Sequence, residues 1–381
     1  MTDGAGLTIR RLALLNFRNH AETVLDLDAR PVCLFGANGA GKTNLLEAVS
    51  LIGPGKGLRA ASLPSLARTG VAEASGWAIS ARLDDNGLER LINVALDISS
   101  DGRTRRLAKL DDANVSQTDL AELVRVVWLT PSMDRVFAGP AGDRRKFYDR
   151  QVLAHTPSHG AAAAIYEKAM RERNALLEEG RADPSWLDAL EARMAQSGAQ
   201  MAYNRVRALG RLQEEIDARP EGYFPKADLH LDGELESLVI GGADVETLER
   251  QYIEILKENR RRDSAAGRTL RGVHKTDLQV SHRPKQLPAA QCSTGEQKAL
   301  LIGLMLANAK ALLKGDFAPN PLLLLDEAAA HLDSDRRAAL YDELTALGGQ
   351  AWLTGTDAAL FEAFEDRAQR FKVDDGSVAR V

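Results

Sequence analysis

Gly36-Ala37-Asn38-Gly39-Ala40-Gly41-Lys42-Thr43 is a complete Gly-x-x-x-x-Gly-Lys-Thr phosphate loop. Its flanks are those such a loop needs. Before it, Pro31-Val32-Cys33-Leu34-Phe35 is a short apolar run that predicts a buried strand; after it, Asn44-Leu45-Leu46-Glu47-Ala48-Val49 starts a helical pattern. The glycines let the backbone wrap close enough for its N–H groups to point at phosphates, and a helix N-terminus favours negative charge. In this reading Lys42 reaches the β and γ oxygens and Thr43 holds Mg²⁺. The stretch predicts a nucleoside triphosphate site.

The 381 residues are enough for a large core and two structural units. With 44% hydrophobic and 27% charged residues the composition is that of an ordinary globular protein. No apolar run approaches the roughly 20 residues of a membrane span, and Met1–Gly6 shows no secretory pattern. Cys33 and Cys292 form no Cys-x-x-Cys, so neither a disulfide framework nor a zinc motif is expected. The expected location is the cytoplasm. A net charge of -5 argues weakly against a nucleic-acid partner, yet basic residues cluster. The groups are Arg103, Arg105, Arg106 and Lys109; Arg144-Arg145-Lys146; and Arg260-Arg261-Arg262 with Arg268, Arg271 and Lys275. Local field governs phosphate contact, so such patches are compatible with duplex DNA, and equally with solvated helix faces.

Apolar stretches from Leu7 to Leu14 and from Val24 to Leu27 read as two strands joined across Asn16-Phe17-Arg18-Asn19-His20. Segments 76–83, 91–98 and 125–129 also read as strands, separated by turn signals such as Asp84-Asp85-Asn86-Gly87. The middle changes character. Residues 159–180 and 184–219 carry apolar positions at three- to four-residue steps, among them Trp186, Leu190, Met194, Ser197 and Met201. Gly180 and Asp183-Pro184 break the pattern, predicting a helical hairpin whose Met and Leu stripe is core. An extended piece at 227–231 and a helix near 244–262 complete an insert, after which strand, turn and helix return.

Leu322-Leu323-Leu324-Leu325 ends in Asp326-Glu327, a buried parallel strand delivering two carboxylates where open α/β sheets bind ligands. Asp326 is placed to serve Mg²⁺ and Glu327 to polarise the attacking water, with Lys42 on the phosphates. Upstream, Cys292-Ser293-Thr294-Gly295-Glu296-Gln297-Lys298 precedes an apolar helix. It reads as capping chemistry or as an anion-binding helix start. Ser293-x-Gly295-Glu296-Gln297 resembles the signature motif of ABC-type ATPases, and Ala330-His331-Leu332-Asp333 resembles their D-loop. That resemblance implies ATP-dependent dimerisation, in which Ser293 and Gly295 complete the partner's nucleotide site and Asp333 lies near it. About 250 residues separate Thr43 from Ser293, more than a transporter ATPase would leave and in keeping with SMC-like DNA-repair ATPases.

Leu12-Ala13-Leu14-Leu15-Asn16-Phe17-Arg18-Asn19-His20, the phosphate loop through Ala48, Pro140–Asp149 and Thr354-Gly355-Thr356-Asp357 are similar to the corresponding segments of the RecF family. The resemblance spans nearly the whole chain. It implies an ATP-modulated DNA-binding protein with slow, DNA-stimulated ATPase, acting at gaps and single/double-strand junctions in DNA replication, recombination, repair and the SOS response. RecO and RecR are the implied partners, ATP and Mg²⁺ the implied cofactors, and Arg18 and Asn19 are implied to lie near the nucleotide. The expected architecture is an α/β P-loop ABC-type ATPase head from residues 1–135 and 268–381, with a mostly helical lobe inserted at 136–267. Two departures stand out: no histidine follows the strand at Trp352-Leu353-Thr354, where transporter ATPases place their γ-phosphate sensor, and no glutamine follows Val126–Ser132 to serve the usual Mg²⁺ water. Thr354 or Thr356 is left to bond the phosphate or its water. His274-Lys275-Thr276-Asp277 replaces a Gly-Pro-His-Arg-Asp-Asp-like stretch, and its role stays open between surface and DNA contact. A transport ATPase subunit and a small-molecule kinase are the rival classes; the insert disfavours the first and the signature the second.

Overall fold

The computed structural model describes residues 6–70, 76–99, 101–179, 183–314, 321–330 and 332–381. They divide into two compact units: residues 1–133, 222–224 and 301–381 form one, and 134–221 with 225–300 the other.

In the first unit, two six-stranded sheets enclose one helix. The antiparallel sheet runs His20–Asp26, Leu7–Phe17, Ala78–Asp85, Leu88–Ile98, Thr104–Leu110, Ala113–Asn114. The second runs Ser377–Arg380, Gln369–Asp374, Val32–Phe35, Ala351–Gly355, Leu322–Leu325, Val126–Leu129, and only its Ser377–Arg380 edge is antiparallel. The strands Leu322–Leu325, Ala351–Gly355 and Val126–Leu129 are buried throughout, which explains why they read as unbroken apolar runs. The helix Lys42–Ile52 is buried at nine of its eleven residues because it has sheet on both sides. Leu45, Leu46 and Val49 share a core with Leu7, Ile9 and Leu12 of the antiparallel sheet and with Leu34, Leu324 and Trp352 of the parallel one. Gln350, fully buried, ties the sheets: its Oε1 accepts from Ile9 N (3.0 Å) and its Nε2 donates to Ile9 O (3.1 Å).

The second unit contains the helices Ala141–His155, Ser158–Glu179, Pro184–Ala218, Glu234–Ile240 and Val245–Ala266 and a three-stranded antiparallel sheet. The predicted hairpin is present: Asp183 caps and Pro184 opens its second helix, while Gly180 lies outside the described residues. Of its stripe, Leu190, Met194, Ser197 and Met201 are buried, but Trp186 is 67% exposed. Arg173 and Arg205 are buried among carboxylates, Arg173 on Glu191 and Asp263, Arg205 on Asp149 and Glu236. This second unit continues to residue 300, past the expected boundary at 267. The cause is sheet pairing, since Asp277–His282 bonds to Ala227–Asp232 along its whole length.

Candidate functional site

Gly36, Gly39 and Gly41 all have positive φ (154°, 83° and 112°), the backbone that lets the loop wind round a phosphate. At Gly36 a Cβ would stand 2.1 Å from Val373 O, and at Gly41 2.7 Å from the Asn19 side chain, so both must be glycine. Ala37, Asn38 and Ala40 complete the loop, and Ala40 N–H closes it on Ala37 O at 3.2 Å. Lys42 folds back over the loop, its Nζ donating to Gly36 O (2.6 Å) and Ala37 O (2.8 Å). Burial lowers the Lys42 pKa, and the Glu327 and Asp326 carboxylates oppose that shift. Such an ammonium can exchange carbonyl oxygens for phosphate oxygens.

The strands Val32–Phe35, Ala351–Gly355 and Leu322–Leu325 lie side by side and parallel, so their C-terminal ends meet at the loop. Asp326 and Glu327 follow the last of these. Thr43 Oγ1 donates to Asp326 Oδ1 at 2.9 Å, across 283 residues of sequence. Thr354 Oγ1 donates to the same oxygen at 2.8 Å and accepts from Glu327 N–H at 2.9 Å. Glu327 has φ +52°, an uncommon conformation for a non-glycine residue. No cluster of three or more His, Cys, Asp or Glu that could hold a metal occurs among the described residues. Two hard oxygen ligands, Thr43 and Asp326, fit Mg²⁺, which takes the rest of its shell from phosphate and water. A pocket of about 150 Å³ opens here between Gly39, Lys42, Thr43, Arg59 and Glu327.

The Asn-Phe-Arg-Asn turn borders the loop. Arg18 makes a two-pronged ion pair with Glu47 (2.8 and 2.9 Å), a buried residue of the phosphate-loop helix. Asn19 Nδ2 donates to Ala40 O (3.0 Å), and its Oδ1 accepts from Asn44 (2.7 Å). Sequence reasoning missed Arg59, which bonds to Asn44 Oδ1 (2.8 Å) and Glu47 (3.3 Å). It follows Gly55-Lys56-Gly57-Leu58, which carries no recognisable pattern. Also missed was His20, buried with Nε2 3.2 Å from Gly41 O; burial lowers its pKa. A second, polar pocket of about 470 Å³ is lined by Arg18, Asn19, Asn44, Arg59, Arg68 and Asp375 among others. Thr354 is buried and turned to the acid pair, while Thr356 is exposed.

In the second unit, Ser293 and Glu296 form a reciprocal cap: Ser293 N–H donates to Glu296 Oε2 (3.0 Å) and Glu296 N–H to Ser293 Oγ (3.4 Å). Lys285 pairs with Glu296 and, with that cap, holds its carboxyl down at about 2. Ser293 and Gly295 are exposed, and a Cβ at Gly295 would meet nothing within 4 Å. Its own fold therefore does not require that glycine. Asp333 is exposed and caps the helix Ser334–Leu347 through Arg336 N–H (2.8 Å); His331, in the D-loop-like stretch, lies outside the described residues.

Several patch residues are spent on internal pairs. Arg105 bonds to Asp97, Arg144 to Asp277, Arg260 to Glu191 and Asp188, and Arg271 to Glu234. Arg106 bonds to Gly55 O and Gly53 O, and Arg145 to Thr276 O. The Asp143–Lys146 and His274–Asp277 stretches are thus knitted to each other. Arg261, Arg262, Arg268 and Lys275 stay exposed without a carboxylate partner among the described residues.

The fold and the loop define a P-loop ATPase head of the ABC and SMC kind. The family model "RecF/RecN/SMC N terminal domain" matches residues 8–378. The chain is 48% identical over 373 residues to "DNA replication and repair protein RecF" of Caulobacter sp. (strain K31), covering 95% of each chain. It is 49% identical to the protein of that name from Agrobacterium fabrum, covering 98% of each. Among solved structures it resembles a recombination mediator protein RecF-ATPrS in the RecFOR pathway (TM-score 0.83, 19% identity, 99% of each chain). It also resembles an Smc head domain from Pyrococcus furiosus (TM-score 0.52, 16% identity, 98% of this chain and 96% of that one). This chain belongs to the RecF family.

Proposed function

We propose that the protein is an ATP-dependent DNA-binding factor of recombinational repair, working as a nucleotide-gated dimer with slow, DNA-stimulated hydrolysis of ATP to ADP and phosphate. The observation that carries this reading is the meeting of Thr43 and Asp326 at 2.9 Å, which makes the phosphate loop and the acidic strand one site. Loop N–H groups cradle the phosphates, and Lys42 leaves Gly36 O and Ala37 O for the β and γ oxygens. Thr43 and Asp326 would hold Mg²⁺, whose chemistry there would be to offset negative charge developing on the phosphoryl oxygens. Glu327 orients the attacking water and takes its proton. The polar pocket beside Arg18 and Asn19 suits the nucleoside half.

The signature residues act on a second copy. Ser293 and the open helix start at Gly295 complete the partner's site by donating to its γ-phosphate, and Asp333 serves the partner's site as well. Loss of that phosphate removes contacts made in trans, so hydrolysis times release of DNA. RecR and RecO are the protein partners this family membership suggests, the cytoplasm the place, and the duplex or gapped junction the DNA substrate. Among the described residues no helix is long and apolar enough to cross a membrane.

Binding to a labelled duplex with a single-stranded gap, at fixed salt, tests the reading. Affinity should rise with ATP over ADP or no nucleotide, and Lys42→Ala and Ser293→Arg should each remove the gain. Binding indifferent to nucleotide would sink it.

A further inference from the structure

The histidine that transporter ATPases carry is missing from the strand that separates the phosphate-loop strand from the acidic strand, and Thr354 occupies its end. From the geometry we infer that Thr354 is the positioning residue of the acid pair: its single hydroxyl sets the orientation of Asp326 and of Glu327 together. This deepens the nucleotide-site reading above and rests on it.

A hydroxyl has one hydrogen and two lone pairs. Here the hydrogen goes to Asp326 Oδ1 (2.8 Å) and one lone pair takes Glu327 N–H (2.9 Å). The side chain of one acid and the backbone of the next are therefore fixed against a single atom. Asp326 Oδ1 is also the oxygen that Thr43 reaches, so Thr354 fixes that carboxylate against the phosphate-loop helix. Glu327 needs the anchor more than most residues. Its φ of +52° is disfavoured for a side-chain-bearing residue and persists only where surroundings enforce it. Thr354 is 1% exposed, with Leu353 and Gly355 also buried, so water cannot replace the hydroxyl. Thr354 lines neither of the two pockets beside the phosphate loop. Its effect reaches the phosphate only through Asp326 and Glu327.

Valine is the same shape, suits a strand and removes both bonds, whereas serine keeps them. With Thr354→Val, turnover should fall roughly 10- to 100-fold, the range for losing a hydrogen bond to a charged group. The KM for ATP should stay within about threefold, because no loop contact involves Thr354. Thr354→Ser should restore turnover to within about threefold of the unaltered protein. A second readout does not need turnover: ADP affinity measured across an Mg²⁺ titration. In Thr354→Val the Mg²⁺ required for half-maximal tightening should rise about fivefold or more, while affinity without Mg²⁺ stays unchanged. Glu327→Gln, run in parallel, tests the parent reading by abolishing hydrolysis. If Glu327→Gln stops hydrolysis but Thr354→Val matches the unaltered protein in both readouts, the positioning role is wrong and the site reading survives. A serine variant as impaired as valine would also overturn it. If the unaltered protein hydrolyses nothing, the parent reading of Glu327 fails, and the Mg²⁺ shift alone decides for or against Thr354.

Discussion

Gly376 shows how far from the phosphate loop its support begins. It sits at the tip of the hairpin between Gln369–Asp374 and Ser377–Arg380 with φ +80°, and its N–H donates to Ala40 O at 2.9 Å. Asn19 Nδ2 donates to that same carbonyl, and Gly376 O accepts from Thr23 Oγ1 at 3.2 Å. A Cβ at Gly376 would stand 2.4 Å from Asn19 O. Gly376→Ala must therefore push the hairpin off the Asn-Phe-Arg-Asn turn, at a cost of about 1–3 kcal/mol in backbone strain. ATP affinity should weaken by roughly tenfold, read by titration calorimetry, although Gly376 lines neither pocket. Unchanged affinity would show that the hairpin does not hold the loop. The loop glycines were legible because their spacing is local; Gly376 was not, because its partner lies some 350 residues away.

At the scale of elements, the second unit is held by buried charge as much as by its apolar stripe. Arg173, on the helix Ser158–Glu179, reaches Glu191 on Pro184–Ala218 (2.9 Å) and Asp263 on Val245–Ala266 (2.7 Å). One guanidinium thus ties three helices, and all groups are desolvated. Arg173→Leu leaves uncompensated carboxylates and should destabilise by about 3–5 kcal/mol in chemical denaturation. A loss under about 1 kcal/mol would mean that Arg260 and Leu270 N–H suffice to satisfy those acids. His274 adds pH dependence. Its Nδ1 meets Tyr166 Oη (2.8 Å) and its Nε2 meets Thr269 O (3.0 Å). Burial holds its pKa down at about 4 against an ordinary 6.5. The unfolded chain therefore takes up a proton that the folded one refuses. Stability from this group is intact above pH 6.5 and is lost as pH falls toward 4, by up to about 3 kcal/mol. Thermal unfolding of His274→Gln should lose that part of the acid sensitivity; identical pH profiles would exclude His274 as its source.

For the whole molecule, the consequential feature is an exposed signature that its own chain leaves open. If Ser293 and Gly295 complete a neighbour's site, two defective variants should complement. Lys42→Ala lacks a phosphate loop but keeps a signature; Ser293→Arg has the reverse. Each alone should show neither ATP-dependent dimerisation nor hydrolysis. Their mixture should regain both, because a mixed dimer contains one complete composite site. Sedimentation with ATP and phosphate release read the two effects, and a mixture as inert as its components would rule out action in trans. DNA binding is tested at this scale too. Arg261, Arg262 and Arg268 remain available where Arg144, Arg260 and Arg271 are neutralised by internal acids. Their removal should lower the slope of affinity against salt.

The phosphate loop, the acidic strand end, the capped signature helix and the helical hairpin were all legible in the order of the residues alone. Each depends on residues a few positions apart, where backbone conformation and hydrophobic period are set locally. What that order could not decide is which side chains of separate elements meet, whatever the length of chain between them. Only the tertiary structure brought Thr354 between Asp326 and Glu327, set Arg59 on Glu47, and turned Arg144 and Arg260 of the basic patches inward onto carboxylates. A run of arginines reads the same in sequence whether it faces solvent or a buried acid. The difference is made by packing, which desolvates one guanidinium and leaves its neighbour in water.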